Sequence, residues 1–306
     1  MSGAAQPVER YGAIDGFAAA LMVVLTFSWG LNGVAAKLAG VGYSPVLLTI
    51  LRSAIGAACV YGWCRWRGVA LFERDGTMWP GILAGLLFGG EFVLLFWGLD
   101  YTSVARSALM LNTMPFWVLV GAHFLLGERM SIMKLVGTVL AFGGVALVFS
   151  DKLSLPSPTA IRGDIMCLVA GALWGATVLV IRKSRLATAS PEKVLLYQLV
   201  VSAVLALPLL AVSGPALREV TALASAAMLF QAIYVVAFTY LVFFWLVRRY
   251  PAGGLTSFAF LTPVFGVMLG GLLLGEPLSA RIVAALALIA VGIVLANRPP
   301  RRRPRG

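Results

Sequence analysis

The chain has 306 residues, of which 60% are hydrophobic and 12% charged, with a formal net charge of +12 and a mean hydropathy of +0.95. A soluble domain carries about 45–50% apolar and about 25% charged residues, so this composition excludes a soluble globular fold. The apolar runs are long and continuous rather than alternating, which excludes an outer-membrane barrel. The basic residues gather in short connections and form no stripe interleaved with aromatics, so they mark loops of a polytopic membrane protein and not a nucleic-acid surface.

Ten apolar runs of about 18–25 residues, each sufficient for a hydrocarbon core of about 30 Å, follow one another along the chain. In order they cover 14–37, 46–64, 79–99, 104–126, 132–149, 163–182, 193–213, 222–246, 255–274 and 280–297. The first is too long for the apolar core of a cleavable signal. It carries Ser28-Trp29-Gly30-Leu31-Asn32. The second follows Pro45 and contains Arg52; the third contains Glu91 at mid-depth and ends near Trp97 and Tyr101. Run four contains Pro115 and His123 and closes on Leu126-Gly127-Glu128. The loop signals Leu155-Pro156-Ser157-Pro158 and Gly214-Pro215 interrupt the second half. Cys59, Cys64 and Cys167 all lie in apolar runs without metal-ligand spacing, which predicts reduced thiols, no metal and no cofactor.

The chain repeats itself. Pro115 and Pro263, Gly127 and Gly275, Glu128 and Glu276, Ser131 and Ser279, and Gly144 and Gly292 are each 148 positions apart. With slightly shifted offsets, Trp29-Gly30 and Asn32 match Trp174-Gly175 and Thr177, Pro45 and Arg52 match Pro191 and Gln198, and Trp97 matches Trp245. The chain is therefore two copies of one unit: a first repeat at 1–149 with a short N-terminus, a linker at 150–159, a second repeat at 160–297 and a basic tail at 298–306. With the N-terminus placed in the cytoplasm, 17 of the 24 Lys and Arg residues fall on cytoplasmic connections; the other seven are Lys37, Arg52, Arg106, Lys152, Arg162, Arg218 and Arg281. That bias predicts both termini inside. Five spans per copy is an odd number, so the second copy enters the membrane from the opposite face. The expected fold is all-α, with ten transmembrane helices in two inverted five-helix repeats around a central cavity, an arrangement that opens to either side by related motions.

With these pairs in place, the sequence resembles the EamA-type members of the drug/metabolite transporter superfamily. The resemblance rests on Trp29-Gly30 and Asn32, Pro45 and Arg52, Pro115, Leu126-Gly127-Glu128 and their second-half counterparts, and covers about 14–297. It implies ten helices around a central cavity and export of small metabolites. In overall pattern and aromatic-rich helices the chain is similar to the YddG-type aromatic amino acid exporters of that superfamily. The expected function is thus secondary export of small amphipathic metabolites, hydrophobic and aromatic amino acids first, from the inner membrane. The expected partners are a small-molecule substrate and lipid, with no nucleic acid.

Polar groups inside a bilayer are costly and each needs a reason. Glu91 is a candidate for a substrate ammonium group or a coupled proton; the alternative is a hydrogen bond between helices through Arg52. Arg52 and Gln198 hold equivalent positions, which points to polar packing in both halves, and the lone His123 also reads as a packing residue. Trp29 and Asn32, and Trp174 and Thr177, are spaced i, i+3 and share a helix face. Each pair either lines the cavity or packs. Tyr101, Tyr234, Tyr240, Phe260 and Trp97 are further cavity candidates. Pro115 and Pro263 each remove a helix hydrogen bond, freeing the carbonyls of Leu111 and Ala259 and predicting paired kinks. An intramembrane enzyme is the rival class, but the chain has no H-E-x-x-H, no G-x-S-x-G and no phosphate loop. A sensor or scaffold is the third; no soluble domain supports it.

Overall fold

A computed structural model describes residues 11–102, 104–150, 158–274 and 281–298. Its elements in chain order are α1 (Gly16–Gly42), α2 (Pro45–Arg67), α3 (Met78–Tyr101), α4 (Val104–Leu111), α5 (Met114–Leu126), α6 (Ile132–Phe149), α7 (Pro158–Lys183) and α8 (Pro191–Ala206). Then come α9 (Ala222–Leu229), a wide π-helical stretch Phe230–Thr239, α10 (Tyr240–Arg249), α11 (Ala252–Ser257), a 3₁₀ turn Phe258–Phe260, α12 (Leu261–Leu274) and α13 (Arg281–Asn297). Among the described residues, nine segments are long and apolar enough to cross a membrane, so the protein is an all-helical, multi-pass membrane protein. The expected tenth run is helical over the 17 residues of Arg281–Asn297, about 26 Å at 1.5 Å per residue. The second Leu-Gly-Glu sequence, at Gly275-Glu276, lies outside the described residues, as do most of the expected linker and tail.

Local chemistry sets the helix ends. Asp15 caps α1 by accepting from the Ala18 N–H at 2.8 Å. Ser44 and Ser190 cap α2 and α8 in the same way, each followed by a proline in the first turn, where no donor is lost. Gly68 and Gly127 end α2 and α5 with φ of 66° and 68°, left-handed values that other residues rarely adopt. The first span runs to Gly42, five residues beyond the expected end at Lys37, and ends where the extended Tyr43 donates its N–H to the Ala39 carbonyl.

Both prolines interrupt their spans. The fourth span breaks between α4 and α5 at Asn112-Thr113, where the Thr113 N–H donates to the Met110 carbonyl in place of an α-helical bond. Pro115 then opens α5. The ninth span tightens into its 3₁₀ turn just before Pro263.

Helix pairings come in matched sets. α6 packs on α13, and α2 on α8. α3 packs on α7 and α8, as α9 and the π-helical stretch pack on α1 and α2. α4 and α5 pack on α7, as α12 packs on α1. Exchanging the two halves of the chain exchanges these contacts. At the α6–α13 crossing the backbones nearly touch: a Cβ on Gly292 would lie 2.5 Å from the Gly137 carbonyl oxygen.

One face of the bundle collects the start of α1 and the end of α13, since Ile14 and Asn297 both border Gly254. There Tyr250 donates its phenolic hydrogen to Asp15 at 2.9 Å, and Arg182 bridges Glu128 to the α10–α11 turn. Burial raises the Tyr250 phenol, as does its bond to Asp15, to about 12. At the opposite face the Arg218 N–H reaches the Gly42 carbonyl, and Asp164 at the start of α7 accepts from Thr102 at 2.7 Å and from Arg106.

Candidate functional site

A cavity of about 320 Å³ lies between the two halves. Its walls come from the same positions of each: Trp29, Asn32 and Gly33 on α1, opposite Trp174, Thr177 and Val178 on α7. Arg52 of α2 and Gln198 of α8 are also matched lining residues, as are Phe92 and Leu95 of α3 with Tyr240 and Phe243 of α10. Phe88, Glu91, Leu111, Phe244 and Thr262 complete the lining. Each set follows helical spacing: 29/32/33, 88/91/92/95, 174/177/178 and 240/243/244 each lie on one helix face.

The aromatic wall is held from behind. Trp29 donates its indole N–H to Thr239 Oγ1 at 3.0 Å. Its ring meets Phe243 and Tyr240 edge-on, at centroid distances of 5.3 and 6.1 Å. Phe88 contacts Phe92 at 5.1 Å and Tyr240 at 6.1 Å in the same manner. Such edge-to-face pairs are each worth about 0.5–1.5 kcal/mol beyond their buried area, which makes a stiff apolar surface.

The polar groups are buried and underused. Arg52 is 8% and Glu91 5% exposed, and Gln198 is fully buried. Arg52 lies over Phe92, its Cζ 4.1 Å from the ring centroid. Its Nε and Nη2, together with Glu91 Oε2, Asn32 Oδ1, Gln198 Oε1 and Thr262 Oγ1, have no hydrogen-bond partner among the described residues. The Arg52–Glu91 hydrogen bond allowed for in the sequence is therefore not made. Arg52 and Gln198 line the cavity instead of serving only as polar packing between helices. An unpaired buried polar atom costs about 1–3 kcal/mol, and more when charged, so this cluster favours a ligand that supplies the missing partners.

The remaining expected cavity residues lie elsewhere. Trp97 is 39% exposed and borders a shallow recess of about 10 Å³ with Val46 and Leu209. It sits five residues beyond Phe92, about 140° around the helix. Tyr101 is 47% exposed at the end of α3. Tyr234 shares a hydrogen bond of 2.9 Å with Ser28 and stacks between Phe230 and Phe238 behind the wall. Phe260 is enclosed by Phe116 and Phe142. His123, at the exposed end of α5, bonds the Glu128 carbonyl through Nδ1 at 3.1 Å and is remote from the cavity.

Pro115 and Pro263 are buried and are not lining residues themselves, but Leu111, on the break before Pro115, and Thr262, the neighbour of Pro263, are. Gly171 of α7 lets that break approach closely: a Cβ there would lie 2.9 Å from the Leu111 carbonyl oxygen. Phe88, Phe92, Leu95, Phe243 and Phe244 are lining residues that the sequence reading does not single out. Their signal is present all the same, because steps of three and four residues from Glu91 and Tyr240 reach all but Phe92, the neighbour of Glu91. Among the described residues no three His, Cys, Asp or Glu side chains converge into a donor set for a metal.

Comparison with known proteins agrees with this architecture. The chain is 26% identical over 276 residues to the uncharacterized transporter YoaV of Bacillus subtilis, covering 90% of this chain and 94% of that one. It is 26% identical over 299 residues to a probable amino-acid metabolite efflux pump of Salmonella typhimurium, covering 92% and 94%. A solved crystal structure superposes with a TM-score of 0.80 at 21% identity, over 92% of this chain and 98% of that one, and so shares the fold. The EamA-like transporter family matches twice, at residues 16–150 and again at 161–298, one match on each side of the cavity; the chain belongs to that family.

Proposed function

We propose that the protein is a secondary transporter that exports small amphipathic metabolites, hydrophobic and aromatic amino acids first, by alternating access. The observation that carries this reading is the cavity walled by equivalent positions of the two halves, aromatic on its sides and furnished with unpartnered buried polar groups. An amphipathic solute matches both features: its apolar part covers the ring edges and its polar part supplies the missing bonds. The amino-acid preference draws further support from the relative named as a probable amino-acid metabolite efflux pump and from the likeness to the YddG-type exporters.

In this reading the chain forms ten spans in two inverted repeats, 1–149 and 160–297, with the pseudo-two-fold axis in the membrane plane. The helix pairings that interchange when the halves are exchanged support it. So do the shared face of Ile14 and Asn297 and the 17-to-7 distribution of basic residues, which favours the cytoplasmic side of an inner membrane for that face. Inverted halves rock about a central site so that it faces each side in turn.

The test is flux. The purified full-length protein, reconstituted in liposomes without ATP, is expected to move phenylalanine, tryptophan or leucine across the bilayer. No movement of such amino acids beside good movement of another metabolite class would retire the substrate, and no movement of any solute would retire the transporter. Reporter fusions at both ends are expected to score cytoplasmic; an external C-terminus would refute the inverted topology.

A further inference from the structure

The cavity walls are matched between the halves, but the charges are not. Arg52 and Glu91 both come from the first half, and their equivalents are the neutral Gln198 and Thr239. Thr239 is already engaged, accepting from Trp29 and donating to the Val235 carbonyl at 2.6 Å. The arginine and the glutamate of the lining thus come from one half of the chain, among aromatic residues supplied by both.

The unpartnered atoms sort by chemistry. Arg52 offers Nε and Nη2, the two donors along one edge of the guanidinium, which together make parallel bonds to both oxygens of a carboxylate. Glu91 Oε2, Asn32 Oδ1 and Gln198 Oε1 are acceptors. The Gln198 amide nitrogen is turned toward the Val194 carbonyl at 3.4 Å, which leaves its oxygen free. Three acceptors, one of them a carboxyl oxygen, suit an ammonium group, which has three N–H donors and no acceptor.

We infer that the cavity is a zwitterion site, in which Arg52 holds the carboxylate and Glu91, with Asn32 and Gln198, holds the ammonium group of an α-amino acid whose side chain lies against the aromatic wall. This rests on the reading of the cavity as the substrate site. Arg52 and Glu91 both sit more than nine-tenths buried, and a solute that meets only one of them leaves the other's free atoms without partners in a low-dielectric site. A zwitterion meets both. Amines and acids of the same shape are therefore rejected, and rejection of an analogue that leaves a built polar partner empty is far steeper than rejection by shape.

The experiment compares L-phenylalanine, phenethylamine and 3-phenylpropionate as competitors of phenylalanine flux in liposomes carrying the full-length protein. In the unmodified protein phenylalanine is expected to compete at least about 100-fold better than either analogue. Arg52→Gln is expected to shrink the gap to phenethylamine to within a few-fold while keeping the gap to 3-phenylpropionate; Glu91→Gln is expected to do the reverse. If the unmodified protein takes the amine or the acid as well as the amino acid, the inference is overturned while amino-acid transport stands. It is likewise overturned if both variants fold and neither gap changes. Absence of phenylalanine flux in the unmodified protein overturns the amino-acid reading and this site together. The comparison within the unmodified protein needs no variant, so poor folding of either substitution leaves a deciding measurement.

Discussion

Glu128, the acid of the first Leu-Gly-Glu sequence, is expected to bind three chain segments at one face, and a double-mutant cycle tests it. Its Oε1 accepts from Arg182 Nη2 at 3.2 Å and from the Ala252 N–H at 3.2 Å. Arg182 Nη1 in turn donates to the carbonyls of Val247 and Tyr250 at 2.8 and 2.6 Å. The two side chains are only 11% and 17% exposed, so water screens them weakly. Arg182→Met keeps the stem but strips the donors, leaving Glu128 charged and two carbonyls unbonded; one-sided loss of a largely buried pair costs about 3–5 kcal/mol. Glu128→Gln retains an oxygen for the Ala252 N–H and loses only the charge-assisted bond, at about 1–3 kcal/mol. Once Arg182 is gone the carboxylate has no cation to meet, so adding Glu128→Gln to Arg182→Met is expected to recover stability. The interaction energy then exceeds the whole Glu128→Gln loss, that is, more than about 1–3 kcal/mol. Reversible unfolding of the four proteins in mixed micelles measures it. Losses that add to within about 0.5 kcal/mol would mean that the two groups act independently, and the clamp would be refuted.

Gly292→Ala places a Cβ 2.5 Å from the Gly137 carbonyl oxygen, on backbone that cannot swing aside, and is expected to cost about 1–3 kcal/mol or more in the same unfolding assay. Gly143→Ala, with nothing within 4 Å, is the control and is expected to be near neutral. Trp29→Ala or Trp174→Ala is expected to weaken competition by phenylalanine up to roughly tenfold and that by alanine much less, since ring contact is what is lost; equal losses would assign both rings to packing. Asp75 tests pH dependence: burial pushes its carboxyl up, but hydrogen bonds from Lys193 and Thr77 outweigh that and hold it at about 2. A lowered pKa stabilises the fold above the unfolded value near 3.8 and ceases to do so as pH falls toward 2. Asp75→Asn is therefore expected to cost about 0.5–1 kcal/mol, unchanged between about pH 8 and pH 5, and a cost that shrinks within that interval would contradict the assignment.

Much of the fold is legible in the sequence because a bilayer leaves few options: a long apolar run must be a helix, and its ends carry Ser-Pro caps and left-handed glycines that a sequence displays. The proline breaks are legible for the same reason, since a missing N–H cannot be hidden. The π-helical stretch is not. Phe230–Thr239 contains neither glycine nor proline. Its wide turn faces a partner far away in sequence: a Cβ on Gly56 of α2 would lie 2.8 Å from Val236 Cγ1 and 3.3 Å from the Ala232 carbonyl oxygen. Tertiary contact, and not local propensity, accompanies that geometry, and the changed phase moves Tyr234 behind the wall that Tyr240 faces.

At the site, residue types are legible before facings. Glu91 stands out because an acid at mid-depth is costly wherever it points, whereas Trp97 and Phe260 are apolar and at ease against lipid or core alike. Periodicity separates them only once one lining residue on each helix is known. The repeat carries a second kind of information. Where the halves agree, as at Trp29 and Trp174, the shared residue walls the cavity from both halves. Where they disagree, as at Arg52 and Gln198 or Glu91 and Thr239, symmetry is broken in the one place where a solute with two different ends must be told which way to lie. A duplicated chain thus shows its mechanics in the positions that match, and the chemistry of its ligand in the few that do not.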